Sequence, residues 1–210
     1  MTAKTADPSV KSVTLAITGA SGVQYALRLL QCLVQAECQV ALLLSGAGRI
    51  VLNTETEHQL SDDRDEQQSF FERFTKAKSG QIKLYDKTDW FSPVASGSSA
   101  PRAMVICPAS GGTIAAIAHG MSNNLIERAA DVAIKENRQL IVVPRETPVS
   151  SVHLENQLKL SQLGVVVLPA SPGFYANPKS LDDIVDFVVA RILDQLGLPQ
   201  TLFPRWGEAP

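Results

Sequence analysis

Short apolar runs alternate with amphipathic stretches along this chain, and the alternation predicts strands and helices in turn. Residues 12–18 (SVTLAIT) form an apolar, β-branched run of strand length, the pattern of a strand buried on both faces. Over 22–36, Leu27, Leu30, Leu33 and Val34 recur at helical spacing, which predicts a helix with one buried face. A second strand is predicted over 39–44 and a helix over 47–55; in 65–77, Phe70, Phe71 and Phe74 are spaced helically with charges between them. There follow a strand over 81–85, a Ser/Gly/Pro-rich loop over 86–101 holding Trp90 and Phe91, and a strand over 103–107 (AMVIC). Helical segments reach Lys135; then come a strand over 140–143, a helix over 151–163, a strand over 165–168 and a closing helix over 181–196. Near-continuous apolar strands separated by helices predict a parallel sheet covered on both faces, a single doubly wound α/β domain over residues 1–210.

Composition narrows the setting more than the fold. The length of 210 residues and a hydrophobic share of 45% suit one such domain with a substantial core. A net charge of −2 with both signs interspersed gives no basis for nucleic acid or an anionic membrane as a partner. Cys32, Cys38 and Cys107 are an odd number without framework spacing, so reduced thiols and a cytoplasmic location are expected. Residues 1–10 are polar and lack the basic start and apolar run of a signal peptide. Residues 1–11 therefore read as a flexible tail. No apolar stretch approaches the ~18 residues of a membrane span.

Four predicted strands end in unusual loops: TGASG at 18–22, PASGGT at 108–113, PRETP at 144–148 and PASPGFY at 169–175. Strand ends of a parallel sheet share one edge, where ligands bind at the topological switch point. In the first loop Gly19 lets the chain turn, Ser21 offers a hydroxyl, and the following helix N-terminus offers N–H groups to an anion. The dinucleotide fingerprint G-x-G-x-x-G is not met, because Ser21 and Gln24 stand at its second and third glycines. Strand 39–44 ends in Leu44-Ser45 without an acidic residue for a ribose. Both features argue against NAD and leave a phosphate-bearing mononucleotide.

Small residues at 110–113 allow a flat ring close to the backbone, although Ser110 also suits a plain helix cap. Arg128, Lys135, Arg145 and Arg191 follow or flank the strand ends and as a group could neutralise a phosphate; singly, each suits a surface ion pair. Arg128 and Lys135, seven residues apart, share a face if one helix carries both. Glu55, Glu146 and Ser21 are the candidate proton handlers, with Glu55 equally readable as a helix-end residue. The Asp62-Asp63-Arg64-Asp65 and Asp182-Asp183 clusters lack metal-diphosphate spacing and read as structural, the latter as a favourable helix start. No His/Cys cluster has metal spacing.

Taken together, TGASG, SGAGRIVLNTET from Ser45, ASGSSAP from Ala95, NNLIERAADVAIKE from Asn123, VPRETP from Val143, PGFYANP from Pro172 and PRWGE at 204–208 resemble the flavin prenyltransferases, the UbiX-like family. The resemblance covers about Val13 to Glu208 and implies a Rossmann-like (flavodoxin-like) sheet. It further implies metal-independent transfer of a dimethylallyl group from dimethylallyl phosphate to N5 and C6 of reduced FMN. The product, prenylated FMN, is the cofactor of UbiD-like decarboxylases, including the one in ubiquinone synthesis. Active sites at subunit contacts of a homododecamer are implied as well. By motif, Gly19, Ala20, Ser21, Ser45, Ser110, Gly111, Gly112, Thr113 and Arg145 would bind FMN. Tyr175 and Arg191 would hold the prenyl phosphate, with Arg128, Lys135 and Glu146 completing its site, some of them reaching in from a neighbouring subunit. Glu55 and Ser21 would move protons around the flavin, and Trp206 and Trp90 would line the allyl pocket. Ala109 stands where some relatives have a second cysteine, leaving Cys107 as core.

Two rivals are weighed. A cysteine decarboxylase of the same fold would carry a His soon after the second strand and a PASANT motif; here no His precedes His58 and the motif is PASGGT. A non-catalytic flavin carrier would have no need of a second phosphate site.

Overall fold

The computed structural model describes residues 11–175 and 177–203. Six parallel strands form one sheet: β1 (Ser12–Ile17), β2 (Gln39–Leu44), β3 (Ile82–Tyr85), β4 (Ala103–Ala109), β5 (Gln139–Pro144) and β6 (Val166–Val167), in the order β3-β2-β1-β4-β5-β6. This is the Rossmann order; without β3 it is the five-stranded flavodoxin order. The order reverses between β1 and β4, so the crevice opens above those two strands.

Among the described residues seven α-helices cover the sheet: α1 (Val23–Gln35), α2 (Gly46–Glu55), α3 (Arg64–Thr75), α4 (Gly111–Ala118), α5 (Leu125–Lys135), α6 (Ser151–Gln162) and α7 (Leu181–Leu196). Alternate residues of the central strands feed two cores. Val13, Leu15 and Ile17 of β1 and Val105 and Cys107 of β4 pack under α1 and α7, together with Leu52 and Phe71. Ala16, Met104 and Ile106 face α4, α5 and α6. Fully burying a side chain such as Phe71, which has no exposed surface, contributes about 1.5–3 kcal/mol. Arg28 forks onto Asp186 at 2.6 and 3.1 Å, tying α1 to α7.

Several boundaries differ from expectation for identifiable reasons. β4 runs past Cys107 through Pro108 because a register shift between Ile106 and Ala109 accommodates the proline. The shift moves Ala109 into the core of Met104 and Ile106. The segment between β4 and β5 is two helices, with Asn124 capping the second through Glu127 N–H at 3.0 Å. Lys11 belongs to the fold rather than to a tail, since its carbonyl accepts from Gln39 N–H at 2.8 Å. The remainder of the expected tail lies outside the described residues. Asp63 caps α3, Asp62 pairs with Arg49, and Ser180 with Asp183 forms a capping box on α7, so both acidic clusters are structural. All three cysteines are buried and unbridged.

α6 differs from the other helices. Leu160 and Asn156 face the interior, while Val152, Leu154 and Leu158 are more than half exposed on its outer side. A helix apolar on both sides is one built to be covered on both. Among the described residues no helix is long and apolar enough to cross a membrane.

Candidate active site

Thr18 closes the switch point. Its Oγ1 donates to the Pro108 carbonyl at 2.7 Å and accepts from Ser110 N–H at 2.8 Å, and the residue is 1% exposed. The Thr18 backbone N–H donates to the same carbonyl at 3.3 Å, so backbone and side chain of the threonine converge on it. Sequence pattern marks Thr18 only as a strand end; its role is visible once β1 and β4 are adjacent.

The next residues correct the reading of the first loop. Gly22, not Gly19, adopts the left-handed backbone, with φ of 105°. Gly19 is small for a different reason: a Cβ there would lie 2.6 Å from Ala47 Cβ, so it lets α2 approach. The N-terminus of α1 already holds an anion. Glu55, the last residue of α2, accepts from Gly22 N–H at 2.8 Å and Val23 N–H at 3.3 Å. The expectation that α1 offers these groups to a phosphate is therefore wrong, and Glu55 is more than a helix end. Ala20 is buried and Ser21 exposed.

Arg145, directly after β5, reaches across to this loop, and its Nε donates to the Ser21 carbonyl at 3.1 Å. No carboxylate pairs with it among the described residues. Tyr25, in the first turn of α1, lies beside it; burial raises its phenol pKa, Cys107 adds to the rise and Arg145 opposes it. Tyr25 is absent from the sequence-derived site, because nothing in its local pattern separates it from a core aromatic.

Two further helix starts point at the rim. Ser45 caps α2, accepting from Gly48 N–H at 2.9 Å. Ser110 caps α4, its Oγ 2.9 Å from Thr113 Oγ1 and 3.4 Å from Thr113 N. The plain cap reading of Ser110 holds, and the first N–H groups of both helices have no partner within their helix. A Cβ on Gly112 would meet nothing within 4 Å, whereas one on Gly111 would strike the His153 ring at 2.9 Å. Open space thus lies over Gly112.

The loop after β6 brings a second group beside the first. Ala170 N–H donates to the Pro144 carbonyl at 2.9 Å, one residue before Arg145. Tyr175 then packs edge-on against Phe187 and Phe203, with ring centroids 5.9 and 5.7 Å away. Phe187, one turn before Arg191 on α7, lines with it a cavity of about 260 Å³ that also takes in Pro169 and Ser171. Two roomier hollows of about 470 Å³, along α3 and between α1 and α7, include no strand's carboxyl end.

A single chain does not assemble every expected residue. Arg128 and Lys135 do share α5, but Arg128 pairs with Asp131 at 2.8 Å and bonds the Ala95 carbonyl. Lys135 pairs with Glu136 at 3.3 Å, beside the Arg138–Pro101 contact that precedes β4. That is the amino edge of the sheet, opposite Ser21, so Lys135 does not join Arg145 within one chain. Arg191 pairs with Asp194 at 2.8 Å. Glu146 is exposed, its carboxylate accepting from the adjacent Thr147 N–H at 3.2 Å. Trp206 lies outside the described residues; Trp90, in the 86–101 loop, is 45% exposed.

Known proteins share this arrangement. The pattern of the Flavoprotein family matches residues 1–193. The flavin prenyltransferase UbiX of Pseudomonas aeruginosa is 60% identical over 93% of this chain and 94% of its own. A crystal structure of AnUbiX (PadA1) with FMN and dimethylallyl pyrophosphate superposes with a TM-score of 0.84, at 32% identity, over 95% of this chain and 99% of that one. A dodecameric FMN-dependent UbiX-like decarboxylase from Escherichia coli O157:H7 gives 0.82 at 34% identity, over 94% and 100%. Shared sequence along nearly the whole chain, on the same sheet, makes this chain a member of the flavoprotein family, among the UbiX-type flavin prenyltransferases.

Proposed function

We propose that the chain joins the dimethylallyl group of dimethylallyl phosphate to N5 and C6 of reduced FMN, releasing phosphate and a C6 proton and giving prenylated FMN. The observation that carries this reading is Arg145: a cation fixed by a neutral carbonyl at the switch point, beside two open helix N-termini. The fit to a flavin rests on the same rim. Space over Gly112 admits a flat ring, while Ser110, Gly111, Gly112 and Thr113 would line it; Ser45, Gly19, Ala20 and Ser21 would close its other side. When bound, FMN supplies the nucleophilic nitrogen and carbon of the reaction.

The chain's own residues then have distinct tasks. Arg145 would help to hold FMN, while Arg191 and Tyr175 would bind the prenyl phosphate and stabilise its departing charge. Glu146, exposed beside Arg145, would exchange a proton with that phosphate, and Ser21 with Glu55 would handle protons near the flavin. Lys135, whose place is away from the rim, would reach the site of a neighbouring copy, and Arg128 would do so beside it. The exposed outer side of α6 supports a homo-oligomer, which we take to be a dodecamer as in the E. coli protein. Trp206 and Trp90 would line the allyl pocket. Three buried, unbridged thiols favour a cytoplasmic setting, and a UbiD-like decarboxylase, such as that of ubiquinone synthesis, would receive the product.

The test is direct. Purified protein given reduced FMN and dimethylallyl phosphate should release a flavin heavier by one C5 unit in a mass spectrum. Tight FMN binding with unchanged mass would identify a carrier instead.

A further inference from the structure

β1 runs between β2 and β4, and the residues at its carboxyl end hold the loop on each side. On the β2 side the Ile17 carbonyl accepts from Ser45 N–H at 3.0 Å, a main-chain bond that any residue at position 17 could make. On the β4 side the register shift between Ile106 and Ala109 interrupts regular pairing, and a side chain takes over. The Thr18 hydroxyl donates to the Pro108 carbonyl at 2.7 Å and accepts from Ser110 N–H at 2.8 Å. Ser110 in turn caps α4, its Oγ 2.9 Å from Thr113 Oγ1. Thr18 is 1% exposed and directly precedes Gly19, Ala20 and Ser21. One buried hydroxyl thus stands between the loop at 19–21 and the loop at 110–113.

We infer that Thr18 is a positioning residue for FMN, its hydroxyl setting the distance between the two loops that hold the flavin. This rests on the reading of 19–21 and 110–113 as FMN-binding loops. The position calls for a hydroxyl, because one atom must give a proton to a carbonyl and take one from an N–H. Serine and threonine do both; valine has the shape of threonine and does neither. Without that oxygen the Ser110 N–H loses its partner, and an unpaired main-chain group shifts until it finds water or another acceptor. Ser110 opens the second loop and caps α4, so the shift carries Gly111, Gly112 and Thr113 with it. The first loop stays, since Glu55 accepts from Gly22 N–H at 2.8 Å and Arg145 donates to the Ser21 carbonyl at 3.1 Å. A flavin spanning both loops then loses its fit on one side. The prenyl phosphate is spared, because Tyr175 and Arg191 stand on the loop after β6 and on α7.

The test measures FMN affinity by flavin fluorescence, and KM for dimethylallyl phosphate at saturating reduced FMN, in the full-length wild type, Thr18→Val, Thr18→Ser and Thr75→Val. Thr75 is the control: it is 7% exposed, its hydroxyl donates to the Phe71 carbonyl at 2.7 Å, and it ends α3. Thr18→Val should weaken FMN binding about tenfold, the weight of one or two hydrogen bonds, while KM for dimethylallyl phosphate stays within about twofold. Thr18→Ser, which keeps the hydroxyl, should bind FMN within about twofold of wild type, and so should Thr75→Val. Equal losses on the FMN and prenyl phosphate sides overturn the inference. A Thr18→Ser protein as weak as Thr18→Val does so too, since the methyl would then be the active part. The same holds for a Thr75→Val protein that loses FMN equally, because any buried loss would then act alike. Absence of the folded circular dichroism signal in Thr18→Val also overturns it, as the hydroxyl would then serve folding rather than FMN. If wild type binds FMN and Thr18→Val matches it, the role of Thr18 alone has failed; if wild type binds no FMN, the flavin reading fails first and takes this one with it.

Discussion

Arg145 and the helix-borne cations carry the same charge but are held in opposite ways. At the rim above β1 and β4, Arg145 is fixed by a backbone carbonyl and keeps its full charge. On α5 and α7, Arg128, Lys135 and Arg191 each lean on an acid one to three residues further along the chain. Exposed pairs of that kind contribute only about 0–1 kcal/mol, so a phosphate displaces them at little cost. The rim is thus set in advance, whereas the other cations sit in weak local pairs.

That contrast can be broken from its strong end. Arg145→Met should weaken FMN binding by about 10–100-fold, the loss of a hydrogen bond from a charged group, with the circular dichroism spectrum unchanged; a flavin fluorescence titration decides it. Arg191→Ala should raise KM for dimethylallyl phosphate about tenfold and leave FMN affinity within about twofold, and equal effects on both ligands would remove Arg191 from the substrate side. Glu55→Ala strips the carboxylate from two N–H groups of α1 and should cost about 1 kcal/mol of stability, as loss of a helix cap does. Glu55→Gln keeps an acceptor oxygen and should recover most of that in a denaturant titration. Smallest of all, Asp131→Asn frees Arg128 from its pair and should change stability by less than about 0.5 kcal/mol; a larger loss would show that the α5 cations are anchored, not weakly held.

The features that one segment determines by itself were legible in the sequence. The helix over 181–196 is found with those bounds, because Ser180 and Asp183 cap it and its apolar spacing is regular. The four carboxyl-end loops do share one edge, as parallel pairing requires. What escaped the reading depends on partners distant in the chain. Glu55 meets Gly22 across 33 positions, Thr18 meets Pro108 across 90, and no local pattern announces either contact. β4 was expected to stop before Pro108 because proline breaks a regular ladder, yet a bulge tolerates it. Lys135 lies away from the rim of its own chain for a topological reason: a helix returning to a parallel strand ends at the opposite edge from its start.

The Thr18 hydroxyl, donor to one residue of β4 and acceptor from another, works as a two-way bolt. A slip of β1 against β4 by one residue would break both bonds together, so the register of the two strands that floor the crevice is held by the scaffold itself. Flavin entry should accordingly follow a single exponential in stopped-flow fluorescence, its rate rising linearly with concentration and showing no plateau from a slow closing step.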